Sequence, residues 1–598
     1  MSDFKFILDL ENHLKAEFPG KAPENWHIAP EKCPETMEGE LTINVFRFAR
    51  VFGQAPDKLA GVIAEYLTSH ADVQKVDTVK AFINITLEPA ALYRDTVQDI
   101  AALLENVKLP AAERKKILIE FSAPNTNKPQ HLGHVRNNTI GQATASMLAR
   151  VGHDVIPINL VNDRGIHICK SMLAYERFGE GVTPESAGIK GDHLVGNFYV
   201  KYASALSEQI KELRAARPDL ADKDDDALFL ETEIGAAAQE MLRKWEANDP
   251  QVRELWQKMN SWVLKGFDET YRRLGIEFAH TYLESETYLL GKDLIADGLN
   301  RGVFSKREDG AVIADLGKLG KKVVLRSDGT SVYITQDIGT TVKKYKDYTP
   351  EEQIWVVGDE QNLHFQMLFA ILKLLGFEWS DKLSHLAYGM VNLPSGRMKS
   401  REGTVVDADD LCDEMANLAY TACKERDNNQ TDDAELRERA EIIGLGALKF
   451  MLLKFNAKTT IMFDPSASIR FEGDTGPYVQ YACARIASIG RKAAERGLDI
   501  SQAADWSLLT NPAEKMLALD LSFYPAAVQQ AAGRRDASGL AEYLLNLAKS
   551  FNRFYRECPI LAAETPELVC ARAQLAERTR QVLVDGLNTM TIKVPESM

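Results

Sequence analysis

Two histidines form the first group of side chains whose type and spacing could do chemistry. His131 and His134 flank Gly133 in the sequence HLGH, where glycine lets a ligand approach the backbone closely. The motif opens a helical pattern after an apolar segment, and a helix N-terminus attracts anions, most simply phosphate. Imidazoles there could donate hydrogen bonds to the charge that develops in phosphoryl transfer. For HLGH alone, surface or capping histidines are the commoner interpretation. A metal pair has less support because no matching ligand cluster occurs.

A basic segment bounded by glycines is the second candidate. The sequence GRMKSREGT at residues 396–404 carries Arg397, Lys399 and Arg401. Cations on such a loop could clamp a triphosphate and stabilise a leaving pyrophosphate, although the pattern alone is typical of a solvated loop. The P-loop sequence GxxxxGK[ST] does not occur, so a nucleotide site of that kind is excluded.

The segments around HLGH predict a parallel sheet. KILIEF at Lys116–Phe121, a polar loop, a helix and the strand DVIPINLV follow one another as a βαβ unit. Ligands of such sheets bind at the carboxyl ends of the strands, where HLGH lies. Further strand-like segments alternate with helices at Val323–Leu325, Ser331–Thr335, Gln353–Val357 and His385–Val391. We therefore predict an α/β, doubly wound domain over 111–410, split by a mostly helical insertion at about 165–280.

The remaining segments predict separate regions before and after this domain. Residues 1–110 predict a small α+β unit that ends in a polar, proline-containing linker. From about residue 411 the apolar pattern has the helical period to the end of the chain. We divide this part into a helical junction at 411–470 and a helical domain at 471–598.

Composition narrows the class of protein. The 598 residues are 45% hydrophobic and 26% charged, as in soluble proteins of several domains. The net charge of −15 argues against nucleic-acid binding over the whole surface. Residues 441–598, with 18 Lys and Arg against 17 Asp and Glu, leave room for a local contact. Seven scattered cysteines without a CxxC pair favour reduced thiols in a cytoplasmic protein, and no apolar run is long enough to span a membrane.

Several sequence blocks together resemble the arginyl-tRNA synthetases, a family of class I aminoacyl-tRNA synthetases. HLGH after a strand, with a basic loop some 260 residues later, resembles the two class I motifs. Four longer blocks, in the family's order, are EFSAPNTNKPQHLGHVRNNTIG (120–141), RSDGTSVYITQDIG (326–339), VVGDEQNLHF (356–365) and FEGDTGPYVQYACARI (471–486). The resemblance runs from the N-terminal unit to the final VPESM and is far more specific than HLGH alone.

The resemblance implies a fold and an activity. It implies a Rossmann-like catalytic domain, an N-terminal additional domain that meets the tRNA elbow, and an all-helical anticodon-binding domain at 471–598. The implied reaction activates L-arginine with ATP and transfers it to the 2′-OH of the terminal adenosine of tRNA(Arg). Mg²⁺ would accompany ATP without a dedicated protein site. Family precedent implies a monomer in the cytoplasm.

The resemblance also assigns individual residues by position. A guanidinium is planar and always charged, so it needs carboxylates and planar acceptors. The implied arginine pocket comprises Glu120, Asn125, Tyr333, Asp337, Gln361 and, with less support, Glu284. The implied ATP site comprises His131, Gly133, His134, Met398 and Ser400. The implied tRNA contacts are Phe82, Asn84, Tyr478, Gln480, Tyr481 and Arg485. Alternatives remain open for several of these residues. Glu284 is as consistent with a surface carboxylate, the tyrosines are as consistent with core packing, and Phe82 and Asn84 are as consistent with buried strand positions.

The basic loop departs from the family pattern KMSKS. Aligned to it, Arg397 replaces the first lysine and Ser400 stands where the second lysine belongs, with Lys399 adjacent. In many members of the family a lysine just before the HLGH-type motif is thought to substitute, and Lys128 has that place here. Relocation is reasonable because an ammonium acts as a movable point charge. The predicted catalytic set is therefore Lys128, His131, His134, Arg397 and Lys399.

Three rival functions remain at this stage. Another class I synthetase is disfavoured by the pair Tyr333 and Asp337 and by the helical C-terminal part. A small nucleotidyltransferase with HxGH would not need such a long helical extension. A non-catalytic, tRNA-binding paralogue would be expected to lose His131, His134 or Lys128, and all three are present.

Overall fold

The N-terminal region is an α+β unit built on an antiparallel sheet. The computed structural model describes residues 4–24, 26–34, 36–394, 406–427 and 431–598. The elements of this region are α1 (Lys5–Glu17), β1 (Glu31–Lys32), β2 (Leu41–Asn44), α2 (Ala49–Phe52), α3 (Pro56–Thr68), β3 (Val73–Val79), β4 (Phe82–Leu87), α4 (Pro89–Tyr93) and α5 (Ile100–Glu105). The sheet has the order β1-β2-β4-β3. Alternate residues Ile83, Ile85 and Leu87 point into the core, as strand geometry requires.

A parallel sheet of five strands forms the centre of the molecule. Its strands and intervening helices begin with β5 (Lys116–Glu120), α6 (Leu132–Arg150) and β6 (Asp154–Val161). The sheet order is β12-β11-β5-β6-β7, and all neighbouring pairs are parallel. Because the chain runs from β5 to β7 on one side and returns on the other, the strand order reverses beside β5. In open α/β sheets, ligands bind at such a reversal, outside the carboxyl ends of the strands.

The predicted insertion after β6 is helical, as expected. Its helices are α7 (Ile166–Phe178), α8 (Pro184–Ala187), α9 (Gly191–Ala216), α10 (Asp225–Leu228), α11 (Glu233–Glu246) and α12 (Pro250–Leu274).

The chain then returns to alternating strands and helices. These elements are β7 (His280–Leu283), α13 (Glu284–Thr287), α14 (Lys292–Asn300), β8 (Ser305–Lys306), β9 (Val312–Asp315), β10 (Lys321–Leu325), α15 (Tyr333–Tyr348), β11 (Glu352–Gly358), α16 (Asn362–Leu374), β12 (Leu383–Tyr388) and β13 (Val391–Asn392).

Two strand predictions in this part need correction. Val323–Leu325 does form a strand, but it belongs to a separate antiparallel sheet of order β10-β9-β8 and not to the parallel sheet. Ser331–Thr335 is not a strand, because α15 begins at Tyr333. The β-branched residues there favoured a strand, yet Ile334, Ile338 and Val342 lie four residues apart and are buried together. Tertiary packing of that helical stripe therefore decided the structure.

The C-terminal part is helical. Its elements are α17 (Ala408–Asp427), α18 (Asp433–Leu453), β14 (Ile461–Met462), α19 (Pro465–Ser468), α20 (Gly476–Glu495), α21 (Pro512–Ser522), α22 (Tyr524–Arg534), α23 (Ser538–Glu557) and α24 (Pro566–Thr589). β14 pairs in parallel with β13, which joins this part to the catalytic region. Tyr93 donates a hydrogen bond to the Leu509 carbonyl at 3.0 Å and so ties the N-terminal unit to the helices. Among the described residues, none of the helices is long and apolar enough to cross a membrane.

Candidate active site

The carboxyl ends of four neighbouring strands bring three predicted arginine-binding residues (Glu120, Glu284 and Gln361), together with Asp163, to one edge of the sheet. Glu120 is the last residue of β5, Asp163 follows β6, Glu284 follows β7 and Gln361 follows β11. The HLGH helix α6 starts at the same edge, since it is the helix that follows β5. Residues more than 200 positions apart in the chain therefore share one face of the fold.

The HLGH histidines cap the helix that they begin. The backbone N–H of Gly133 donates to Nδ1 of His131 at 3.1 Å, and the backbone N–H of His131 donates to Nδ1 of His134 at 3.2 Å. Because Nδ1 accepts in both rings, each neutral imidazole must carry its proton on Nε2. A Cβ at position 133 would lie 2.9 Å from Cε1 of His131, so any other residue there would push the His131 ring out of its capping position.

The electrostatic surroundings keep both histidines neutral at pH 7. Burial, reinforced by the positive charge of Lys128, lowers the pKa of His131 to about 4. The pKa of His134 is lowered well below its ordinary value by burial, by His131 and by Lys128. Burial also lowers the pKa of Lys128 itself. The start of α6 thus presents two Nε2–H donors beside an ammonium group, an arrangement suited to an anion.

The loop between β5 and α6 is held by two asparagines that the sequence reasoning missed. Ser122 and Ala123 have φ of +80° and +47°, a region that L-residues rarely adopt. The side-chain carbonyl of Asn137 accepts from the N–H of Ser122 at 2.5 Å, and that of Asn159 accepts from the N–H of Ala123 at 3.0 Å. The strained backbone is therefore fixed by its surroundings. No short motif in the sequence would have identified these supporting contacts.

Glu284 lies close enough to two other carboxylates, those of Asp163 and Asp337, to be affected by their charges. Burial raises the pKa of Glu284 to about 7, and the charges of Asp163 and Asp337 add to the increase while Arg164 opposes it. Arg164 lies 3.8 Å from the Glu284 carboxylate. Asp163 is fully buried and accepts hydrogen bonds from the backbone and hydroxyl of Ser285. This surplus of negative charge favours a cationic ligand.

The other predicted arginine-binding residues lie around this cluster. Tyr333 and Asp337 share one face of α15, as their spacing predicted, and Tyr333 is 78% exposed. The Asp337 carboxylate is 2.7 Å from Nε2 of His364. Gln361 is exposed at the start of α16, and Asn125 lies opposite Asn162 in an isolated parallel bridge.

Glu120 has a partner within the protein. It is 7% exposed, and its carboxylate is ion-paired with the buried ammonium of Lys344 on α15. A carboxylate that is already paired with an ammonium group attracts a guanidinium less strongly than an unpaired carboxylate does. In this structure Glu120 therefore serves first to join β5 to the helix that carries Asp337.

The structure describes only the residues on either side of the predicted basic loop. Arg397, Met398, Lys399 and Ser400 lie outside the described residues. On one side, Nη1 of Arg136 in α6 donates to the Met390 carbonyl at 2.6 Å. On the other, the N–H of Leu132 donates to the Val406 carbonyl at 3.1 Å. Both described flanks of the segment therefore lie against the first two turns of the HLGH helix.

The predicted tRNA-binding residues of the helical domain divide into two groups. Arg485 lies over the rings of Tyr481 and Tyr555, at 4.7 and 5.1 Å from their centroids. Asn552 donates to the Tyr478 hydroxyl and accepts from Arg485, which places three of the predicted side chains in one patch together with Tyr555, which was not predicted. We call Tyr478, Tyr481, Arg485 and Tyr555 the aromatic patch.

Gln480 does not belong to this surface, which corrects its assignment as a tRNA contact. Its side chain is fully buried and donates to the Lys593 carbonyl at 2.7 Å, so it holds the C-terminal tail. A side chain at that helical position turns away from the half-buried face that Tyr478 and Tyr481 share.

In the N-terminal unit the two predicted contacts also differ. Phe82 is 37% exposed and packs edge-on against the exposed ring of Phe46. Asn84 is only 1% exposed and lies beneath Met37, to whose sulfur it donates at 3.4 Å. Phe82 is therefore accessible to a partner in this structure, whereas Asn84 is not.

Comparison with known proteins identifies the family of each region of the chain. Residues 96–465 match the family model described as "tRNA synthetases class I (R), catalytic domain", residues 479–598 the "DALR anticodon binding domain", and residues 8–87 the "Arginyl tRNA synthetase N terminal domain". The arginine–tRNA ligase of Bacteroides fragilis is 42% identical over 99% of both chains. That of Treponema denticola is 44% identical over 99% of this chain and 98% of its own.

A solved structure gives the same result for the fold. The arginyl-tRNA synthetase of Thermus thermophilus superposes with a TM-score of 0.79 at 26% identity and covers 100% of both chains. The family model of the catalytic domain alone spans more than half of this chain. From its sequence, its three matched domains and its fold, the chain belongs to the arginyl-tRNA synthetase family.

Proposed function

We propose that this chain attaches L-arginine to tRNA(Arg) at the expense of ATP. The single observation that carries the proposal is the joint placement of an anion-binding helix start and a cluster of carboxylates at one edge of the sheet. The HLGH end suits the phosphates of ATP, and the cluster of Asp163, Glu284 and Asp337 suits a guanidinium or ammonium group. An enzyme that joins arginine to a nucleotide needs both kinds of site side by side.

In the first step the arginine carboxylate attacks the α-phosphorus of ATP. A bond forms between a carboxylate oxygen and that phosphorus, and the bond from the same phosphorus to the bridging oxygen breaks, so pyrophosphate leaves with the electron pair. The Nε2–H groups of His131 and His134 can donate to the phosphoryl oxygens without any change of protonation, because both rings are neutral. The ammonium of Lys128 adds a mobile positive charge beside them, and Arg397 and Lys399 are proposed to act with it.

Arginine is selected by charge and shape. We propose that Asp337 and Glu284 meet its positive groups, with Tyr333, Gln361 and Asn125 bounding the cleft. Asp337 is pre-oriented by His364, and Asp163 by Ser285. A site that pairs with a guanidinium rejects a neutral isostere, because its carboxylates would remain unpaired in the complex.

In the second step the 2′-OH of the terminal adenosine of tRNA attacks the arginyl carbonyl and AMP leaves. We propose that the aromatic patch stacks on unpaired anticodon bases, as aromatic and arginine faces do in RNA complexes. Phe82 would meet the tRNA elbow. Contact is confined to part of the surface, because the whole chain has a net charge of −15.

Magnesium would reach the site with the triphosphate. When bound, Mg²⁺ neutralises part of the charge on the leaving pyrophosphate. Among the described residues, the possible ligand atoms of Asp192, His193 and Asp409 lie within 4.8 Å of one another, which is the spacing expected of a metal site. The ammonium of Lys190 already lies 3.2 Å from Asp192 and 2.6 Å from Asp409, so this group does not fit a metal. The proposal therefore places no metal ligand on the protein.

The decisive experiment is aminoacylation of tRNA(Arg) with radiolabelled arginine, with citrulline and lysine as controls. Citrulline has the shape of arginine without its charge, and lysine has the charge without the planar fork. We expect that only arginine is attached to the tRNA and that pyrophosphate is released from ATP at the same time. Charging with another amino acid, or none with arginine, would overturn the proposal.

Two further parts of the proposal rest on the family resemblance. One is that arginine activation requires bound tRNA; labelled pyrophosphate that exchanges into ATP equally well without tRNA would contradict it. The other is that the protein works as a cytoplasmic monomer with four regions, 1–110, 111–410, 411–470 and 471–598. Sedimentation of the purified chain with and without tRNA tests the oligomeric state.

A further inference from the structure

A cavity of about 650 Å³ lies in the helical part of the molecule, and none of the residues of the aromatic patch line it. It is bounded by the end of α18, the start of α20 and the facing sides of α22 and α23. The side chains that matter here are Lys454, Phe455, Asn456, Asp474, Gln530, Arg534, Asp536, Glu542, Asn546 and Lys549. A space of this size is typical of sites for small organic groups.

The cavity continues the aromatic patch along α23. Lys549 forms an ion pair with Asp474 at 2.8 Å, and Asp474 directly precedes Thr475, the N-cap of the helix that carries Tyr478. One turn further along α23, Asn552 contacts Tyr478. Residues three and four apart share a helix face, so the cavity and the patch lie along one groove between α20 and α23.

The charge of the lining is balanced, which argues against a site for phosphate alone. Three cations (Lys454, Arg534 and Lys549) stand with three carboxylates (Asp474, Asp536 and Glu542). The carboxylate of Asp474 is taken by Lys549, and that of Asp536 by Asn456. A phosphate-binding pocket would need a surplus of donors and positive charge.

The polar groups that remain offer both donors and acceptors. Glu542 and Asn546 are exposed, lie one turn apart on α23, and have no hydrogen-bond partner among the described residues. Phe455 is 39% exposed and presents a ring to the same space. An amide, a carboxylate and an aromatic ring in one pocket fit the edge and face of a nucleobase.

We propose that this cavity is a subsite for one unpaired nucleotide of the bound tRNA. The nucleotide adjoins the strand that stacks on the aromatic patch, its base enters the cavity beside Phe455, and Glu542 and Asn546 contact the base edge. Lys454 and Arg534 then lie near the flanking phosphates. The inference rests on the proposed function, because it takes tRNA as the partner.

The test fills the cavity and measures tRNA binding. Asn546→Trp places a large ring in the cavity from an exposed helical position, and Asn546→Ala removes only the amide. The matched control is Ala494→Trp, an exposed position near the far end of α20, about 24 Å along the helix from Tyr478. Melting temperatures establish that each variant is folded.

The expected result is a selective loss of tRNA affinity. Asn546→Trp should raise Kd for tRNA(Arg), and KM for tRNA in aminoacylation, by about tenfold, the scale of losing one stacked base. KM for arginine and for ATP should not change, and Ala494→Trp should match the wild type. Chemical probing should show one tRNA nucleotide that is protected by wild type and exposed with Asn546→Trp.

Two outcomes would overturn the subsite. One is an unchanged Kd for tRNA with Asn546→Trp. The other combines two results: AMP, CMP, GMP or UMP binds to the wild-type protein at this cavity, and the affinity for tRNA is the same in both Asn546 variants as in the wild type. The cavity would then be a site for free nucleotides. Failure of the proposed function is distinct, since the wild type would then show no charging of tRNA with arginine.

Discussion

Arginine binding should weaken as the pH falls through neutrality, because of Glu284. In the free protein the pKa of this carboxyl is raised to about 7 by burial and by Asp163 and Asp337. A bound cation stabilises the carboxylate and lowers that pKa, so binding must release the proton that Glu284 carries. If the bound pKa lies below about 5, lowering the pH from about 8 to about 6 should weaken arginine binding roughly tenfold.

The assay is KM for arginine in aminoacylation at saturating ATP and tRNA, measured across this pH range. Calorimetric titration with arginine in two buffers of different ionisation enthalpy reports the proton directly, with about half a proton released near pH 7. Glu284→Gln removes the titrating group, so KM should be higher and independent of pH over the same range. Glu286→Gln, an exposed position in the same short helix, is the matched control and should behave as wild type.

The direction in which KM for arginine changes with pH tests the role of Glu284. A KM for arginine that is flat, or that falls as the pH is lowered, would mean that Glu284 does not meet the cationic substrate. The same pH dependence in Glu284→Gln would assign the proton to another group. Uptake of a proton on binding would contradict the account directly.

Three further substitutions test the supporting contacts. Lys128→Ala should slow pyrophosphate exchange by on the order of 10²-fold while Lys128→Arg retains part of the rate, the scale of losing one transition-state donor; an unchanged rate would remove Lys128 from the catalytic set. Arg136→Met should lower the free energy of unfolding by about 3–5 kcal/mol, since Arg136 is fully buried and donates to three carbonyls, including that of Met390; urea titration measures this, and a loss under about 1 kcal/mol would contradict it. Lys344→Met should cost about 3–5 kcal/mol by leaving Glu120 buried and unpaired, and adding Glu120→Gln should recover part of it; a double variant less stable than Lys344→Met would show that the pair is not the cause.

Local patterns in the sequence were sufficient to predict the helices and strands that position the candidate site. The βαβ unit around HLGH, the helical insertion and the helical C-terminal part follow from apolar periodicity, which the fold preserves. The shared helix face of Tyr333 and Asp337 follows from their spacing of four residues. The strand expected at Ser331–Thr335 was wrong because its β-branched residues are also the first turn of a buried helical stripe.

Long-range contacts could not be predicted from the sequence. The partner of Glu120 is Lys344, 224 residues away, and only the packing of α15 against the sheet brings them together. Gln480 lies between the half-buried Tyr478 and Tyr481 in sequence, yet it is fully buried and bonded to the tail at Lys593. The neutrality of His131 also depends on the way Lys128 and the surrounding loop fold over it.

The most direct measurement of the central claim is a crystal structure with a stable analogue of arginyl-adenylate. The account predicts that the group in place of the α-phosphate lies within hydrogen-bond distance of Nε2 of His131 and His134. The guanidinium should contact the carboxylate of Asp337 or Glu284. An analogue that binds with its guanidinium away from both carboxylates, or with its adenylate end away from the start of α6, would contradict the account.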